Sequence, residues 1–576
     1  MIRFASIGAS AVVIFLAILL IISRFTSEAF HSPVIFFVTA IIITLGIIVK
    51  MEGRKNAGLA LLTIVAFLVI ILVWAIATQP FYDPGFDGYA YHLSAIWDIG
   101  DGWNPFLSPH NNIWVDSYPN GYWVLQSYIV SLTGMLMSGQ ALIPGLMAIV
   151  ALLSYGFFLN NCTNNLPRLR EVTALLLTGI LVANPVVIGQ LLTHYVDAPL
   201  YLFGAALALF LLTDMYQKSA LARVSALCCI ILMVNTKTAA LYYAPLIVAA
   251  GFLAELVFQR TNEAFLSRAF FWIRNRGLIY AFTFIIGVTV VGYKPYVTNV
   301  LDHGQLLYPS VEKIMTGNEP ANVIPLSAPM KFIYGIFART DHSEWPIDAP
   351  IELKIPGTFQ LSEFKYLRFD TRRGGFGPFF SLALLATIAA FAARRYTNRR
   401  IKNTSVVQEA DGIALFGAVM FGASMFFPES WWARYVPFTW LSALFFFAAS
   451  MKLSGCGKRM FIPRLFMCIA LLSFIGCIIA SGLGAFRESR LLYAKTDLIN
   501  ELSMFPEVKL LMFYDPPAYQ DFQSTSTQDG LSVWTQLLAD RGVKTEISRE
   551  RDQSDCDMAG YLNGGIYWCI VIDEME

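Results

Sequence analysis

The chain has 576 residues, of which 56% are hydrophobic and only 14% charged, and its mean hydropathy is +0.57. Soluble proteins carry about 25% charged residues, so this composition excludes a set of water-soluble domains. The formal net charge of +1 gives no attraction for nucleic acid. Eight cysteines without C-x-x-C spacing argue against a zinc ribbon or a thioredoxin-like motif. We therefore expect a membrane protein with the lipid bilayer around it and no nucleic-acid partner.

Apolar windows of about 20 residues, the length that crosses a bilayer core of about 30 Å, recur along the whole chain. They lie at 4–24, 33–51, 57–78, 139–160, 172–193, 197–214, 219–235, 238–257, 277–297, 376–394, 411–427, 432–452 and 462–484. The first window lacks a small-x-small cleavage site and a second apolar run follows it closely, so we interpret it as an uncleaved anchor. The predicted fold class is an all-α polytopic membrane protein with about 13 transmembrane helices.

Loop charge decides how segment 119–137 is interpreted. This segment is apolar enough for a fourteenth span, but near its start it carries Tyr122, Trp123, Gln126, Ser127 and Tyr128. If it is an interfacial helix, the loops on the side of residue 1 hold most of the Lys and Arg, which is typical of cytoplasmic loops. We therefore predict a multi-pass protein of the cytoplasmic (inner) membrane, with its amino terminus inside and its carboxyl terminus outside.

Three outer segments result from this topology. Loop 79–138 contains no Lys or Arg but five aspartates, and loop 298–375 is rich in Pro, Gly and aromatic residues. The tail from 485 has strand-like runs at 510–514 and 566–572 and a helix-like run at 531–540, which predict a small α/β extracytoplasmic domain. In an oxidising compartment Cys556 and Cys569 can pair; two unpaired thiols are an equally open alternative.

Ionisable side chains at membrane depth are costly, so they point to function. The densest group follows the third span, where the candidate site residues are Asp83, Asp87, Tyr91 and His92. Two carboxylates four residues apart can hold a divalent cation, or one of them can act as a base. The structural alternative is an acidic hydrated loop whose aromatic residues belong to the interfacial belt.

Further candidates lie at the outer ends of other spans, namely His194, Asp197, Lys237, Lys294, Arg434 and Tyr435. Asp197 has a structural alternative as a helix N-cap, and the cations have one as interface anchors. Arg can clamp a phosphate bidentately and Lys acts on it as a point charge. Cations at one membrane depth opposite an acidic loop therefore suit a phosphate at the level of the lipid headgroups.

Several of these motifs, taken in order, resemble the GT-C membrane glycosyltransferases, which include protein O-mannosyltransferases and bacterial aminoarabinose transferases. The resemblance covers roughly residues 57–452, with two further spans, residues 1–56, in front of the usual first helix. Its motifs are Phe86-Asp87-Gly88-Tyr89-Ala90-Tyr91-His92, Gly102-Trp103-Asn104-Pro105, Tyr118-Pro119, the Asp197 turn, Asn299 to Pro309, Gly374-Gly375-Phe376-Gly377-Pro378 and Arg434-Tyr435. It implies a GT-C-like transmembrane domain at 57–484, with the soluble domain at 485–576. Gly88 follows Asp87 where an acidic residue is common in that family.

The resemblance implies an inverting sugar transfer from a polyprenyl-phosphate carrier at the outer face of the membrane. The acceptor would be a cell-envelope glycan, lipid or protein. Asp87 would be the general base and Asp197 would orient the acceptor or hold a cation. Lys294 and Arg434, with Lys237, would stabilise the departing lipid phosphate. No cofactor is implied beyond a possible divalent cation.

Two other functions are open alternatives. A polysaccharide polymerase or ligase that uses a diphosphate-linked glycan favours Arg-rich outer loops, whereas loop 79–138 is acidic. A transporter or flippase of lipid-linked sugars favours broken helices and charged residues near the middle of the membrane. The ionisable residues gather instead at the outer ends of the spans, which favours the transferase.

Overall fold

The computed structural model describes residues 2–25, 33–105, 107–161, 167–258, 264–309, 319–341, 349–398, 405–453, 461–512, 520–548, 556–562 and 566–571. The helices in these ranges are, in chain order, α1 (Ile2–Arg24), α2 (Pro33–Glu52), α3 (Ala57–Thr78), α4 (Leu93–Gly100), α5 (Ile113–Ser117), α6 (Gly121–Thr133), α7 (Leu142–Asn161), α8 (Pro167–Val182), α9 (Pro185–Gly189), α10 (Asp197–Gln217), α11 (Ala220–Val234), α12 (Ala240–Phe258), α13 (Phe265–Trp272), α14 (Leu278–Ile286), α15 (Thr298–His303), α16 (Ala328–Phe337), α17 (Phe380–Thr397), α18 (Ser405–Met425), α19 (Phe438–Lys452), α20 (Phe461–Leu502) and α21 (Gln520–Ala539).

Nine helical segments in the described ranges are long and apolar enough to cross a membrane. They are α1, α2, α3, α7, α10, α12, α18, α20 and the continuous run Phe265–Val291. A polytopic helical protein is therefore confirmed, but the predicted number of 13 spans is not. The other four predicted spans correspond to α8, α11, α17 and α19.

Three of these four predicted spans are short helices in the structure. The predicted span 172–193 is interrupted because α8 ends at Val182 and Asn184 caps the separate short helix α9, which has Pro185 at its first position. Helices α11 and α19 have 15 residues each, and 15 residues cover only about 22 Å of a bilayer core of about 30 Å. Segment 119–137 contains α6, a helix of 13 residues that is not among the nine candidate spans.

Helix α10 forms the centre of the bundle, since its apolar window is completely buried by other parts of the protein. It packs against α7, α11 and α12. Helix α1 is also mostly buried, and it contacts α2, α3, α7 and α11. Helix α1 is therefore packed inside the bundle, whereas α2 lies at its periphery, with only 17% of its apolar window buried.

Helix α20 leaves the bundle without a break. Its 42 residues correspond to about 63 Å, roughly twice the thickness of a bilayer core. The helix runs through position 484, where the sequence predicted the start of the soluble domain, and it ends only at Leu502.

The carboxyl-terminal sheet follows α20 and has four strands, β1 (Glu507–Met512), β2 (Lys544–Ser548), β3 (Met558–Tyr561) and β4 (Ile566–Ile570), in the order β2-β1-β4-β3. Strands β1 and β2 are parallel and are joined through α21, whereas β4 is antiparallel to both β1 and β3. The predicted strands at 510–514 and 566–572 and the predicted helix at 531–540 correspond to β1, β4 and α21; positions 513–514 and 572 lie outside the described residues. Cys556 and Cys569 form a disulfide, which decides between the two alternatives.

The carboxyl-terminal domain packs directly on the acidic loop. Trp534 of α21 is fully buried and stacks on Tyr89, with ring centroids 5.0 Å apart and an interplanar angle of 7°. The Lys495 ammonium group on α20 lies over both rings, 5.6 Å from the Tyr89 centroid and 5.3 Å from that of Trp534. A cation over two stacked aromatic faces stabilises this contact, and Tyr89 is two residues from Asp87.

We predict that Gly484→Ala destabilises the protein. A Cβ atom at Gly484 would lie 1.7 Å from the Leu367 carbonyl oxygen, so α20 and the long outer loop would have to separate. Overpacking of this kind costs about 1–3 kcal/mol, and we expect a lower midpoint of thermal unfolding in detergent. Gly482→Ala is the matched control because no heavy atom lies within 4 Å of its added Cβ. Equal unfolding midpoints for the two variants would contradict the close packing at Gly484.

Candidate active site

The acidic loop begins with a buried carboxylate that ties two chain segments together. Asp83 accepts hydrogen bonds from the backbone N–H of Gly85 at 2.7 Å and from the backbone N–H and ring Nδ1 of His194, both at 2.8 Å. Both side chains are completely buried. Gly88 must lack a side chain because a Cβ there would lie 2.5 Å from the Asp83 carboxyl carbon. Asp83 and His194 therefore hold the Asp87 loop against the turn before α10.

Arg434 lies at the centre of the candidate site. Its Nη1 is 3.3 Å from Asp87 Oδ2, and its Nε is 3.3 Å from Asp370 Oδ1. Its guanidinium carbon lies 4.2 Å from the ring centroid of Trp432 and 5.4 Å from that of Tyr195. One cation thus connects loop 79–138 to loop 298–375 across an aromatic surface.

The charge of Arg434 is maintained by its acidic neighbours. Burial disfavours the guanidinium, but the carboxylates of Asp370, Asp197 and Asp87 together keep its pKa well above the usual value. The side chains of Asp87 and Arg434 are 24% and 12% exposed. Asp87 is therefore the more accessible partner of this pair and can be reached by a group that enters from outside.

A second ion pair lies beside the first and is almost completely buried. Asp197 pairs with Lys237, and Gln190 donates to the other oxygen of Asp197 at 3.0 Å. The Lys237 ammonium nitrogen also lies 4.3 Å from the centroid of the Tyr435 ring. Asp197 is the first residue of α10 and no side chain caps that helix, so its alternative role as an N-cap is wrong. Lys237 is buried rather than extended to the interface.

Burial lowers the pKa of Lys237, and the nearby Arg434 adds to this effect, whereas Asp197 opposes it. The side-chain exposures are 6% for Lys237 and 3% for Asp197. Two opposite charges buried in contact stabilise each other, while either one alone would be strongly destabilising. The pair is thus suited to hold a fixed charge arrangement in the bundle.

Aromatic side chains close the site on the side of the first loop. Tyr91 lies 6.0 Å from Trp114 and 6.3 Å from Tyr118, measured between ring centroids. Trp123 Nε1 donates to His92 Nδ1 at 2.8 Å. Burial lowers the pKa of His92 well below its usual value, and the nearby side chains of His194, Arg434 and Lys237 lower it further. His92 is therefore a neutral hydrogen-bond acceptor that fixes the indole of Trp123.

The structure brings most of the predicted site residues together but places one of them apart. Lys294 is buried and pairs with Asp116, and its ammonium nitrogen is 3.5 Å from the Ser108 carbonyl oxygen. It does not contact Arg434, Asp87 or Asp197 among the described contacts. Lys294 therefore secures α5 to the chain after α14. Tyr118, two residues beyond Asp116, packs against Tyr91 of the main cluster.

Sequence reasoning missed two residues of this cluster. Asp370 shares Arg434 with Asp87, and the Gln190 side chain bridges Asp197 and the backbone N–H of Ala198. Asp370 lies in the polar stretch Arg368-Phe369-Asp370-Thr371-Arg372-Arg373 of a long loop, where no spacing distinguishes it from a solvated surface residue. Gln190 carries no charge and falls inside an apolar run.

The described residues contain no group of three or more His, Cys, Asp or Glu side chains that could hold a metal ion. Asp87 and Asp197 are instead each paired with a cationic side chain.

No protein-family model matches the chain, and no curated protein matches it. Its function must therefore be argued from the site itself.

We predict that Lys237→Met strongly destabilises the fold, because it leaves the Asp197 carboxylate buried without its cation. Removal of one partner of a buried pair costs about 3–5 kcal/mol, and thermal unfolding of the purified protein measures the loss. The double variant Lys237→Met, Asp197→Asn should recover much of it, since no net charge remains buried. Additive effects of the two single substitutions would contradict direct coupling of the pair.

Proposed function

We propose that this protein is a membrane glycosyltransferase that moves a sugar from a polyprenyl-phosphate carrier to a hydroxyl of a cell-envelope glycan, lipid or protein. The observation that carries the proposal is the pairing of Asp87 with Arg434 inside an aromatic-lined cluster. A partly accessible carboxylate beside a fixed cation supplies the two groups that an inverting transfer requires, a proton acceptor and a partner for the leaving phosphate. The resemblance of the Asp87 and Arg434 motifs to GT-C enzymes supports the same reaction.

In the proposed reaction Asp87 accepts the proton of the acceptor hydroxyl while the hydroxyl oxygen attacks the anomeric carbon from the face opposite the phosphate. A new glycosidic bond forms as the bond between the anomeric carbon and the phosphate oxygen breaks. Its electron pair leaves with the polyprenyl phosphate, and the configuration at the anomeric carbon inverts. A positioned general base of this kind contributes about 10²–10⁴-fold to the rate.

Arg434 has a double role in this proposal. Without substrate its guanidinium pairs with Asp87 and Asp370. A donor phosphate competes for the same N–H groups, because a guanidinium binds phosphate and carboxylate with the same geometry. Donor binding would therefore release Asp87 from its cation and leave it ready to accept a proton. Lys237 adds positive charge beside the phosphate and Asp197 keeps Lys237 in place.

The proposed location is the outer face of the cytoplasmic membrane, with the amino terminus inside and the carboxyl terminus outside. The distribution of Lys and Arg among the loops supports this orientation. The disulfide in the carboxyl-terminal domain also supports it, because such bonds persist in oxidising compartments. A polyprenyl-phosphate donor would then reach the site sideways from the lipid.

The role of Asp87 is tested by Asp87→Asn, which preserves the shape of the side chain but removes the proton acceptor. We expect sugar transfer in membranes to fall by about 10²–10⁴-fold with unchanged expression and detergent extraction. Asp101→Asn is the matched control, since Asp101 is an exposed aspartate of the same loop. Near-normal transfer by the Asp87 variant would exclude it as the base. The acceptor is first identified by glycan analysis of envelopes from cells that lack the protein.

The role of Arg434 is tested by a donor titration of Arg434→Ala and Arg434→Lys. Hydrogen bonds to charged groups contribute about 1.5–3 kcal/mol, so the alanine variant should bind the polyprenyl-phosphate donor at least about tenfold more weakly. The lysine variant should be intermediate because it keeps the charge but loses the bidentate geometry. Arg490→Ala removes an exposed arginine of α20 and serves as control. An unchanged donor affinity in Arg434→Ala would remove the proposed phosphate site.

A further inference from the structure

One segment of the long outer loop has its charged residues inside and its apolar residues outside. The side chains of Lys354 and Glu363 are only 2% and 1% exposed and form an ion pair, whereas Ile355 and Leu361 are 74% and 79% exposed. Lys and Glu are almost never fully buried unless they are paired, as these two are, whereas a group of large exposed apolar side chains marks a surface that contacts a partner or a membrane. This arrangement indicates apolar surroundings for the segment.

Hydrogen bonds within the loop fix the shape of the segment and so hold its exposed apolar side chains in place. The Glu363 carboxylate accepts the backbone N–H groups of Thr340 and Gln360, at 2.9 and 2.8 Å. Gly357 has a φ of 89° and the Thr358 N–H donates to the Ile355 carbonyl at 3.1 Å. Pro356 and this glycine occupy the two central positions of a tight turn, and Ile355 is its first residue.

The neighbours of the segment place it at the edge of the membrane-spanning region. Phe359 packs against Phe379, just before α17, with ring centroids 5.1 Å apart. After the segment, Arg368 pairs with Glu488 of α20 and the Leu367 carbonyl approaches Gly484. Gly484 is the last residue of the predicted apolar span, and Glu488 lies one helical turn beyond it. These contacts therefore lie at the predicted edge of the bilayer core.

Exposed apolar side chains lie both on α20 and in the loop that contacts it. On α20, Leu483 and Phe486 are 51% and 63% exposed, beside the Gly484 and Glu488 contacts. In the loop, Leu353 and Phe359 are 50% and 48% exposed. Basic residues lie at the base of the segment, where Arg487 donates to the Lys365 carbonyl at 3.1 Å, and such residues suit the headgroup layer.

We propose that segment 353–361 inserts its apolar side chains into the lipid leaflet on the side of the membrane that bears the candidate site. The partner is the acyl-chain region of ordinary membrane phospholipid. The apolar side chains leave water on insertion, while the Lys354–Glu363 pair remains shielded within the loop. Asp370 lies nine residues beyond Leu361. The lipid-anchored segment is therefore part of the same loop as one of the two carboxylates that pair with Arg434. The lipid contact does not depend on the proposed sugar transfer.

The test is photo-crosslinking of the full chain in nanodiscs of phosphatidylcholine and phosphatidylglycerol. The photoreactive residue p-benzoylphenylalanine replaces Leu361 in one variant and Ile355 in a second. Met504 is the matched control, because it is also highly exposed, at 75%. It lies just beyond the end of α20, and the 18 helical residues between Gly484 and that end rise about 27 Å. Intact-protein mass spectrometry detects adducts of one phospholipid mass.

We expect phospholipid adducts at Leu361 and Ile355 at least tenfold more often than at Met504. Three outcomes would overturn the proposal. The first is no lipid adduct at either loop position in protein that elutes as the folded monodisperse species. The second is an equal yield at Met504. The third is a crosslink to a second copy of the chain instead of lipid, which would mean that an interface between copies covers the loop.

Discussion

Arg434 and Lys237 are cations buried at one end of a helical bundle, and their compensation by carboxylates organises the whole site. Burial opposes each charge, so the folded protein requires Asp87, Asp370 and Asp197 close to them. Each of these partners comes from a different part of the chain. The ion pairs therefore hold together loop 79–138, loop 298–375, the start of α10 and the segment before α19.

Contacts around the ion pairs hold the charged side chains of the site in place. Two hydrogen bonds between Asp83 and His194 join the Asp87 loop to the turn before α10, and a third, from the Gly85 N–H to Asp83, shapes the loop itself. Gln190 orients Asp197, and Trp123 is fixed by a neutral His92. Rigid surroundings of this kind favour electrostatic stabilisation, because charged groups that are already in place need no reorganisation during the reaction.

The soluble domain and the long loop extend the site beyond the bundle. Trp534 stacks on Tyr89 and so couples the carboxyl-terminal domain to the acidic loop. On another side, the loop that delivers Asp370 carries its exposed apolar residues next to α17 and α20. The candidate site is thus bordered by the carboxyl-terminal domain, by the long loop and by the bundle interior.

Much of the architecture follows from composition and local pattern. Long apolar windows predict membrane helices because backbone polar groups must be satisfied within the helix in lipid, and most of the predicted windows are helices in the structure. The number of spans was not predictable in this way. Helix α8 ends early at Val182, just before Asn184 and Pro185 begin α9, and α11 and α19 are only 15 residues long. Hydropathy alone reports only that a stretch is apolar.

Hydropathy and local pattern were enough to predict a polytopic helical membrane protein with a small carboxyl-terminal sheet. They also indicated Asp87, Asp197, Lys237 and Arg434 as site residues. Only the tertiary structure decided which charges pair. Lys294 pairs with Asp116 rather than joining the main cluster, Asp370 enters it, and Asp83 and His194 are buried as a clamp. The physical reason is that ion pairs are fixed by distances of a few ångströms between segments tens to hundreds of residues apart, and hydropathy and spacing carry no information about such distances.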